Sequence, residues 1–266
     1  NIENLSKEHI NEIIDLADKY IKNKSNKFKD LEGKTIASLF FEPSTRTKTT
    51  FELATKRLSA DFINIDIANS STLKGESILD MIKTLEAMEC DMFIVRHSSS
   101  GTPHYIAKEV GNKISIINAG DGIHAHPTQA MLDMYTIKKH KGNFENLNVS
   151  IVGDILHSRV AKSLIASLKI LSVKNINVIG PKNLMPENIN EIGVNYFSNL
   201  EEGISHADVI IMLRLQQERM KEAFISTEDY YNNYGLTKKK IMLAKKDVIV
   251  MHPGPINRGI EIDSEV

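Results

Sequence analysis

Cysteine is all but missing from this chain of 266 residues: Cys90 stands alone. No intrachain disulfide can form, which fits a reducing compartment. Cys90 lies in a mostly apolar run, residues 88–95, with no sequence neighbour that would make it a thiolate, so an inert buried thiol is expected. An excess of either charge is missing too: 33 Lys and Arg face 34 Asp and Glu, for a net charge of -1. Neither sign dominates, which argues against a general nucleic-acid or membrane-surface binder, although positive charge can still gather in one cleft. Long apolar runs are absent; none approaches the ~18 residues that span a bilayer. The polar start, Asn1-Ile2-Glu3-Asn4, lacks the signal-peptide pattern. Low-complexity segments and short repeats are not found either. These absences point to a cytoplasmic protein with no nucleic-acid or membrane partner. The chain opens without Met and stops at Glu265-Val266, soon after a loop motif, so the natural chain is expected to extend further.

What is present is an ordinary globular composition, 41% hydrophobic and 25% charged. The length suggests two domains of ~130 residues. Ser6 reads as a helix cap, followed at helical spacing by Ile10, Ile13, Ile14, Ala17 and Ile21. Residues 34–41, 61–67, 92–95 and 114–118 read as strands. A helix from about Thr45 places Phe51, Ala54 and Leu58 on one face. Another over residues 76–88 turns Ile78, Met81, Ile82, Leu85 and Met88 inward, and a third covers residues 127–139. Residues 149–152, 176–179, 194–197, 209–213 and 248–251 repeat the pattern of short buried strands between helices. Such alternation predicts an α/β protein of two doubly wound parallel-sheet domains joined by helices, 1–132 and 133–266. Ligands then sit at the carboxyl ends of strands, so the strand-to-helix loops are where chemistry is expected.

The first such loop is Phe40-Phe41-Glu42-Pro43-Ser44-Thr45-Arg46-Thr47-Lys48-Thr49-Thr50-Phe51-Glu52. Ser44 suits an N-cap and Pro43 fixes the entry. The N–H groups of the first turn converge at the positive end of the helix dipole, and Arg46 adds a fork that suits phosphate. A plain capped helix with a solvated arginine is the alternative for this segment by itself. In the second half, Val152-Gly153-Asp154-Ile155-Leu156-His157-Ser158-Arg159 follows a strand and opens a helix, but only Gly153 fits a dinucleotide fingerprint.

The first segment resembles the phosphate-binding signature of the aspartate and ornithine carbamoyltransferases. Val95-Arg96-His97 and His126-Pro127-Thr128-Gln129 resemble two further signatures in the family's order, and the likeness extends over essentially the whole chain. It implies transfer of the carbamoyl group of carbamoyl phosphate to L-aspartate, an early step of pyrimidine biosynthesis, with no cofactor, metal or covalent intermediate. It also implies roles. Ser44, Thr45, Arg46 and Thr47 bind the phosphate, with Thr47 also near the carbamoyl oxygen. Arg96 and His126 donate to that oxygen, and Gln129 holds the carbamoyl amine. Donors aimed at an oxygen that gains charge stabilise the transition state, each being worth ~3 kcal/mol by analogy with oxyanion holes. Ser70 and Lys74 reach into a neighbouring subunit's site, so the resemblance carries a homotrimer with shared active sites. It leaves room for a separate regulatory chain and implies a final helix beyond residue 266.

For the acceptor, Arg159 matches the position that binds the aspartate α-carboxylate. Arg214 and Gln216, in Met212-Leu213-Arg214-Leu215-Gln216-Gln217-Glu218-Arg219, match those that hold the side-chain carboxylate. Two arginines for two carboxylates is a sound charge balance. Gly254 and Pro255, in His252-Pro253-Gly254-Pro255-Ile256-Asn257-Arg258-Gly259, match positions whose carbonyls accept from the incoming amine and the carbamoyl NH2. The ornithine enzymes' His-Cys-Leu-Pro and Ser-Met-Gly patterns and any tryptophan are absent, which favours aspartate. Domain closure then brings amine and carbonyl together. The departing phosphate can take the amine proton, so no side-chain base is required. His124 and His126, two apart, suit a loop better than a zinc pair. Competing readings are a carbamoyltransferase for another amine, a nucleotide-dependent oxidoreductase and an inactive paralogue.

Overall fold

A computed structural model describes residues 1–23, 26–67, 75–216 and 226–266. Contacts divide the chain into two compact units, one of Asn1 with Glu12–Thr128 and one of Ile2–Asn11 with Gln129–Val266. In that division the first residues of the chain, Ile2–Asn11, group with the second unit.

The first unit is built on β1 (Thr35–Phe40), β2 (Asp61–Ile65), β3 (Met92–His97) and β4 (Ser115–Asp121), all parallel in the order β2-β1-β3-β4. The central strands are nearly continuous apolar runs because helices cover both faces. Leu39, Phe93 and Val95 pack with Met81, Ile82 and Leu85 of α3 (Ile78–Ala87) and with Ile106 of α4 (Thr102–Val110). On the other face, Ile36, Ile94 and Ala119 meet Phe51 of α2 (Thr45–Arg57). The edge strand β2 has no fully buried residue.

The second unit holds β5 (Asn148–Val152), β6 (Asn175–Ile179), β7 (Asn195–Phe197), β8 (Val209–Met212) and β9 (Ile249–Met251), parallel in the order β7-β6-β5-β8-β9. Its core joins Val152, Ile179, Ile210 and Met212 to Leu200, Ile204 and Tyr230. The helices include α6 (Arg159–Ile170), α7 (Leu200–Ile204), α8 (Thr227–Tyr234) and α9 (Lys238–Ile241). Two more elements carry the chain into and between these layers, α1 (Lys7–Lys22) and α5 (Pro127–Lys141).

The two doubly wound parallel sheets expected from the sequence are therefore present. Several inward faces are not as expected. On α1 the buried stripe is Ile10 and Ile14, while Ile13 and Ile21 are 39% and 49% exposed, because only a narrow face of that helix is covered. On α2 the buried residue is Thr55 and Ala54 is exposed. Met88 is 67% exposed as the C-cap of α3. The nine-residue α4, entered through Gly101 at φ 93, was not expected at all: its apolar residues are too few to set a period. Ser6 does cap α1, its Oγ accepting from His9 N at 3.3 Å. Cys90 is buried, and burial together with Asp91 pushes its thiol pKa up. Among the described residues no helix is long and apolar enough to cross a membrane.

Candidate active site

The strand order reverses direction between β1 and β3 in the first sheet and between β5 and β8 in the second. At such a switch point the flanking loops diverge and leave a crevice at the carboxyl ends of the strands. In the first unit, residues 41–47 leave β1 there, and Arg96 is the last residue but one of β3. In the second unit, the loop of Gly153 and Asp154 leaves β5, and the segment of Arg214 to Gln216 leaves β8. These four segments thus stand at the two places where this topology makes room for ligands, while the segments of His126 and of Gly254 follow the edge strands β4 and β9.

In the first unit Ser44 occupies the N-cap of α2 in extended conformation, yet its side chain makes no cap hydrogen bond. Other caps do: Ser77, Ser158, Asn199, Ser226 and Thr237 each accept from the N–H three residues on. The first turn of α2 also contains no acidic residue, while Arg46 and Lys48 follow Thr45. Cations at the positive end of a helix dipole are unfavourable unless an anion joins them. The expected N-cap position is right, and with no side-chain cap bond formed there the hydroxyl and N–H groups remain suited to an anion.

Arg96 is held by this same loop. Its Nε lies 2.7 Å from Glu42 Oε1, and its NH1 donates to Ala119 O at 3.2 Å. The backbone joins in, with Phe41 N donating to Arg96 O at 2.9 Å. A register shift between Val95 and Arg96 against β4 re-aims the arginine. The same NH1 lies 3.3 Å from His126 Nε2. His126 is buried and immediately precedes Pro127, the first residue of α5. The turn before it depends on Gly122 at φ 49, where a Cβ would lie 2.3 Å from Ser100 Oγ. Asp121 secures the turn by accepting from Gly101 N at 2.6 Å and facing His124 Nδ1 at 2.9 Å. One turn into α5, Gln129 Nε2 donates to Asp133 Oδ1 at 3.0 Å.

In the second unit Arg159 is buried as the first residue of α6, behind the Ser158 cap. Asp154, fully buried, shapes the preceding loop by accepting from His157 N at 3.0 Å. Gly153 adopts φ 128, with Tyr230 Oη and Leu213 Cβ each 3.1 Å from where a Cβ would be. Arg214 and Gln216 are half-buried. Glu261, 0% exposed, ties their loop to the one carrying Gly254 and Pro255. Its Oε1 accepts from Leu215 N at 2.9 Å and Asn257 Nδ2 at 2.7 Å, and its Oε2 accepts from Asn257 N at 2.7 Å. His252 Nε2 faces that oxygen at 3.6 Å, while its Nδ1 accepts from Gly254 N at 2.8 Å. Burial would raise the Glu261 pKa, but His252 and the N–H donors outweigh it and hold the carboxyl below its ordinary range. Ser70 and Lys74 lie outside the described residues.

Both halves of the chain match one family. Residues 1–139 match the aspartate/ornithine carbamoyltransferase carbamoyl-P binding domain, and residues 145–266 match the Asp/Orn binding domain of the same family. The chain belongs to the aspartate/ornithine carbamoyltransferase family. Among solved structures, it is similar to aspartate transcarbamoylase from Trypanosoma cruzi in complex with N-(phosphonacetyl)-L-aspartic acid. That match has 30% identity over 99% of this chain and 85% of that chain, at a TM-score of 0.87. The same enzyme in complex with carbamoyl aspartate and phosphate matches at 30% identity and a TM-score of 0.84, with the same coverage. Ornithine carbamoyltransferase from Thermus thermophilus shares the fold at a TM-score of 0.86 but 23% identity, covering 100% of this chain and 88% of that one. In the family frame, Glu42, Asp133 and Glu261 are the groups that the motif reading passed over. The signal available for Asp133 was a carboxylate at a core-facing helical spacing beside Ala130, Met134 and Ile137. Among the described residues, no group of three His, Cys, Asp or Glu side chains is placed to hold a metal ion.

Proposed function

We propose that this protein is an aspartate carbamoyltransferase, converting carbamoyl phosphate and L-aspartate to N-carbamoyl-L-aspartate and phosphate. Family membership supports the donor and the reaction type. The acceptor rests on one observation above the others: Arg159 and Arg214 leave neighbouring strands at the second sheet's switch point, where two cations suit a dicarboxylate and repel an ornithine ammonium. The similar structures that hold aspartate-derived ligands agree with it.

In this reading Ser44, Thr45, Arg46 and Thr47 seat the phosphate on α2. Arg96, braced by Glu42, lies with His126 and Thr47 toward the carbamoyl oxygen, and Gln129 takes the amine. The aspartate amine attacks the carbonyl carbon, and charge gathers on its oxygen opposite those donors. The C–O bond to phosphate then breaks, and the leaving phosphate accepts the amine proton. Arg159 holds the α-carboxylate, Arg214 and Gln216 hold the side-chain carboxylate, and the carbonyls of Gly254 and Pro255 face the reacting nitrogens. Residues 1–132 serve as the donor domain and 133–266 as the acceptor domain. The same reading carries a cytoplasmic homotrimer in which Ser70 and Lys74 complete a neighbour's site.

The deciding experiment is phosphate release from carbamoyl phosphate with L-aspartate or L-ornithine, on wild type and Arg214→Ala. Turnover with aspartate alone, lost in the variant, is the expected result. Equal turnover with ornithine would overturn the acceptor assignment, and no turnover with either in a confirmed trimer would favour an inactive paralogue. Mixing Lys74→Ala with His126→Ala subunits tests the shared site, since only a hybrid trimer with interfacial sites regains activity.

A further inference from the structure

A carboxylate is an unfavourable choice at position 133. Asp133 faces inward on α5 beside Ala130, Met134 and Ile137, all 0% exposed, and is itself 4% exposed. Its Oδ2 has no hydrogen-bond partner among the described residues. The contact that its other oxygen makes is with Gln129, one helical turn earlier, at 3.0 Å. For stability alone an apolar residue would serve better there, because a buried carboxyl with one side unsatisfied is costly. What this carboxyl does accomplish is to sort the two ends of the Gln129 amide. Oxygen and nitrogen of an amide have nearly the same shape, and only their partners decide which is which. In its ionised form Asp133 can only accept, so Nε2 turns toward Oδ1 and Oε1 becomes the end left to accept from a ligand.

We infer that Asp133 is a positioning residue that makes the site select a carbamoyl over an acyl phosphate, by fixing Gln129 with its carbonyl toward the ligand's –NH2. The inference rests on the reading of Gln129 as the group that holds the carbamoyl amine. Acetyl phosphate has nearly the same size and charge as carbamoyl phosphate but carries a methyl where the amine would be. A fixed Oε1 accepts from the amine and is left unpaired beside the methyl, which is the stronger kind of discrimination. An amide free to rotate offers its own NH2 part of the time and loses that preference.

The test is the ratio of dissociation constants for acetyl phosphate and carbamoyl phosphate, measured by calorimetry without acceptor, on wild type, Asp133→Asn, Asp133→Ala and Gln129→Leu. Asp133→Ala should lower the ratio about fivefold or more, toward the Gln129→Leu value, as the loss of one oriented hydrogen bond requires. Asp133→Asn should lower it about twofold, since its amide can accept from Nε2 in one of two orientations and donates in the other. A structural role alone would weaken both anions together and leave the ratio untouched. An unchanged ratio in Asp133→Ala with a lowered one in Gln129→Leu overturns the inference while the placement of Gln129 stands. An unchanged ratio in Gln129→Leu overturns that placement and the inference with it. If Asp133→Ala does not fold by circular dichroism, Asp133→Asn decides: a lowered ratio supports the inference and an unchanged one overturns it.

Discussion

Burial drives the Asp133 carboxyl from its ordinary pKa of 3.8 to about 7, against the opposing pull of Gln129. Because the folded state holds this proton more firmly than the unfolded chain, the group's contribution to stability is greatest below pH 4. It is lost as pH rises through about 7. Asp133→Asn removes the titration, so its stability relative to wild type should climb by about 3–4 kcal/mol between pH 4 and pH 8. Urea melts at both pH values measure this, and a constant difference would show that the carboxyl is not buried as described. At Arg96 the same scale shows the opposite balance: Glu42 at 2.7 Å neutralises a guanidinium that is 13% exposed and fixes its direction before any substrate arrives.

Elements rather than single residues set the two ligand ends. The start of α2 places Thr45, Arg46 and Lys48 at a dipole terminus without an acidic partner or a cap bond from Ser44. Inorganic phosphate should therefore stabilise the protein, by about 2.7 kcal/mol at a hundredfold excess over its dissociation constant. A thermal shift that survives in Arg214→Ala but collapses in Arg46→Ala is the expected outcome; the reverse pattern would move the phosphate away from α2. In the second unit two loops are held by one carboxylate, Glu261, which bonds Leu215 N and Asn257 N with separate oxygens. Glu261→Gln leaves one of those N–H groups without an acceptor, a loss of about 2 kcal/mol. It should raise KM for aspartate and leave KM for carbamoyl phosphate unchanged; a change in the second alone would contradict the loop assignment. Since the folded pKa of Glu261 is depressed, its contribution is present above the ordinary carboxylate range and lost as pH falls through the folded value. The gap between wild type and Glu261→Gln should narrow in acid.

At the level of the whole molecule, two parallel sheets enclose cores that solvent reaches only by unfolding. Cys90 reports on the first of them, being 5% exposed with its thiol pKa raised by burial and by Asp91. Reaction with a disulfide reagent should be at least about a hundredfold slower in the native protein than in urea, because it waits on opening of the unit. Rapid native labelling would contradict the packing of β3 against α3 and α4. The parallel order also explains why residues from distant parts of the chain lie side by side. Residues 41–47 and Arg96, like the Gly153–Asp154 loop and Arg214, are neighbours because β1 pairs with β3 and β5 with β8.

By itself the sequence determined the alternation of strands and helices, hence two doubly wound sheets, because runs such as Thr35–Phe40 and Asn148–Val152 are short, mostly apolar and uncharged, as strands buried on both faces require. It also marked where chemistry is expected, since a hydroxyl-rich helix start such as residues 44–50 is a local pattern. Tertiary structure decided the rest. That the Ser44 side chain makes no cap bond to α2, that α4 exists, and that Ile13, Ala54 and Met88 face outward depend on what packs nearby. Glu42, Asp133 and Glu261 went unread for the same reason: in a sequence a carboxylate is by default a solvated charge. Only the fold shows that one braces Arg96 from the loop after β1, one is sealed beside Gln129, and one bonds a loop 46 residues away. Burial and partners turn such a charge into a positioning group, and both are long-range properties that no local window contains.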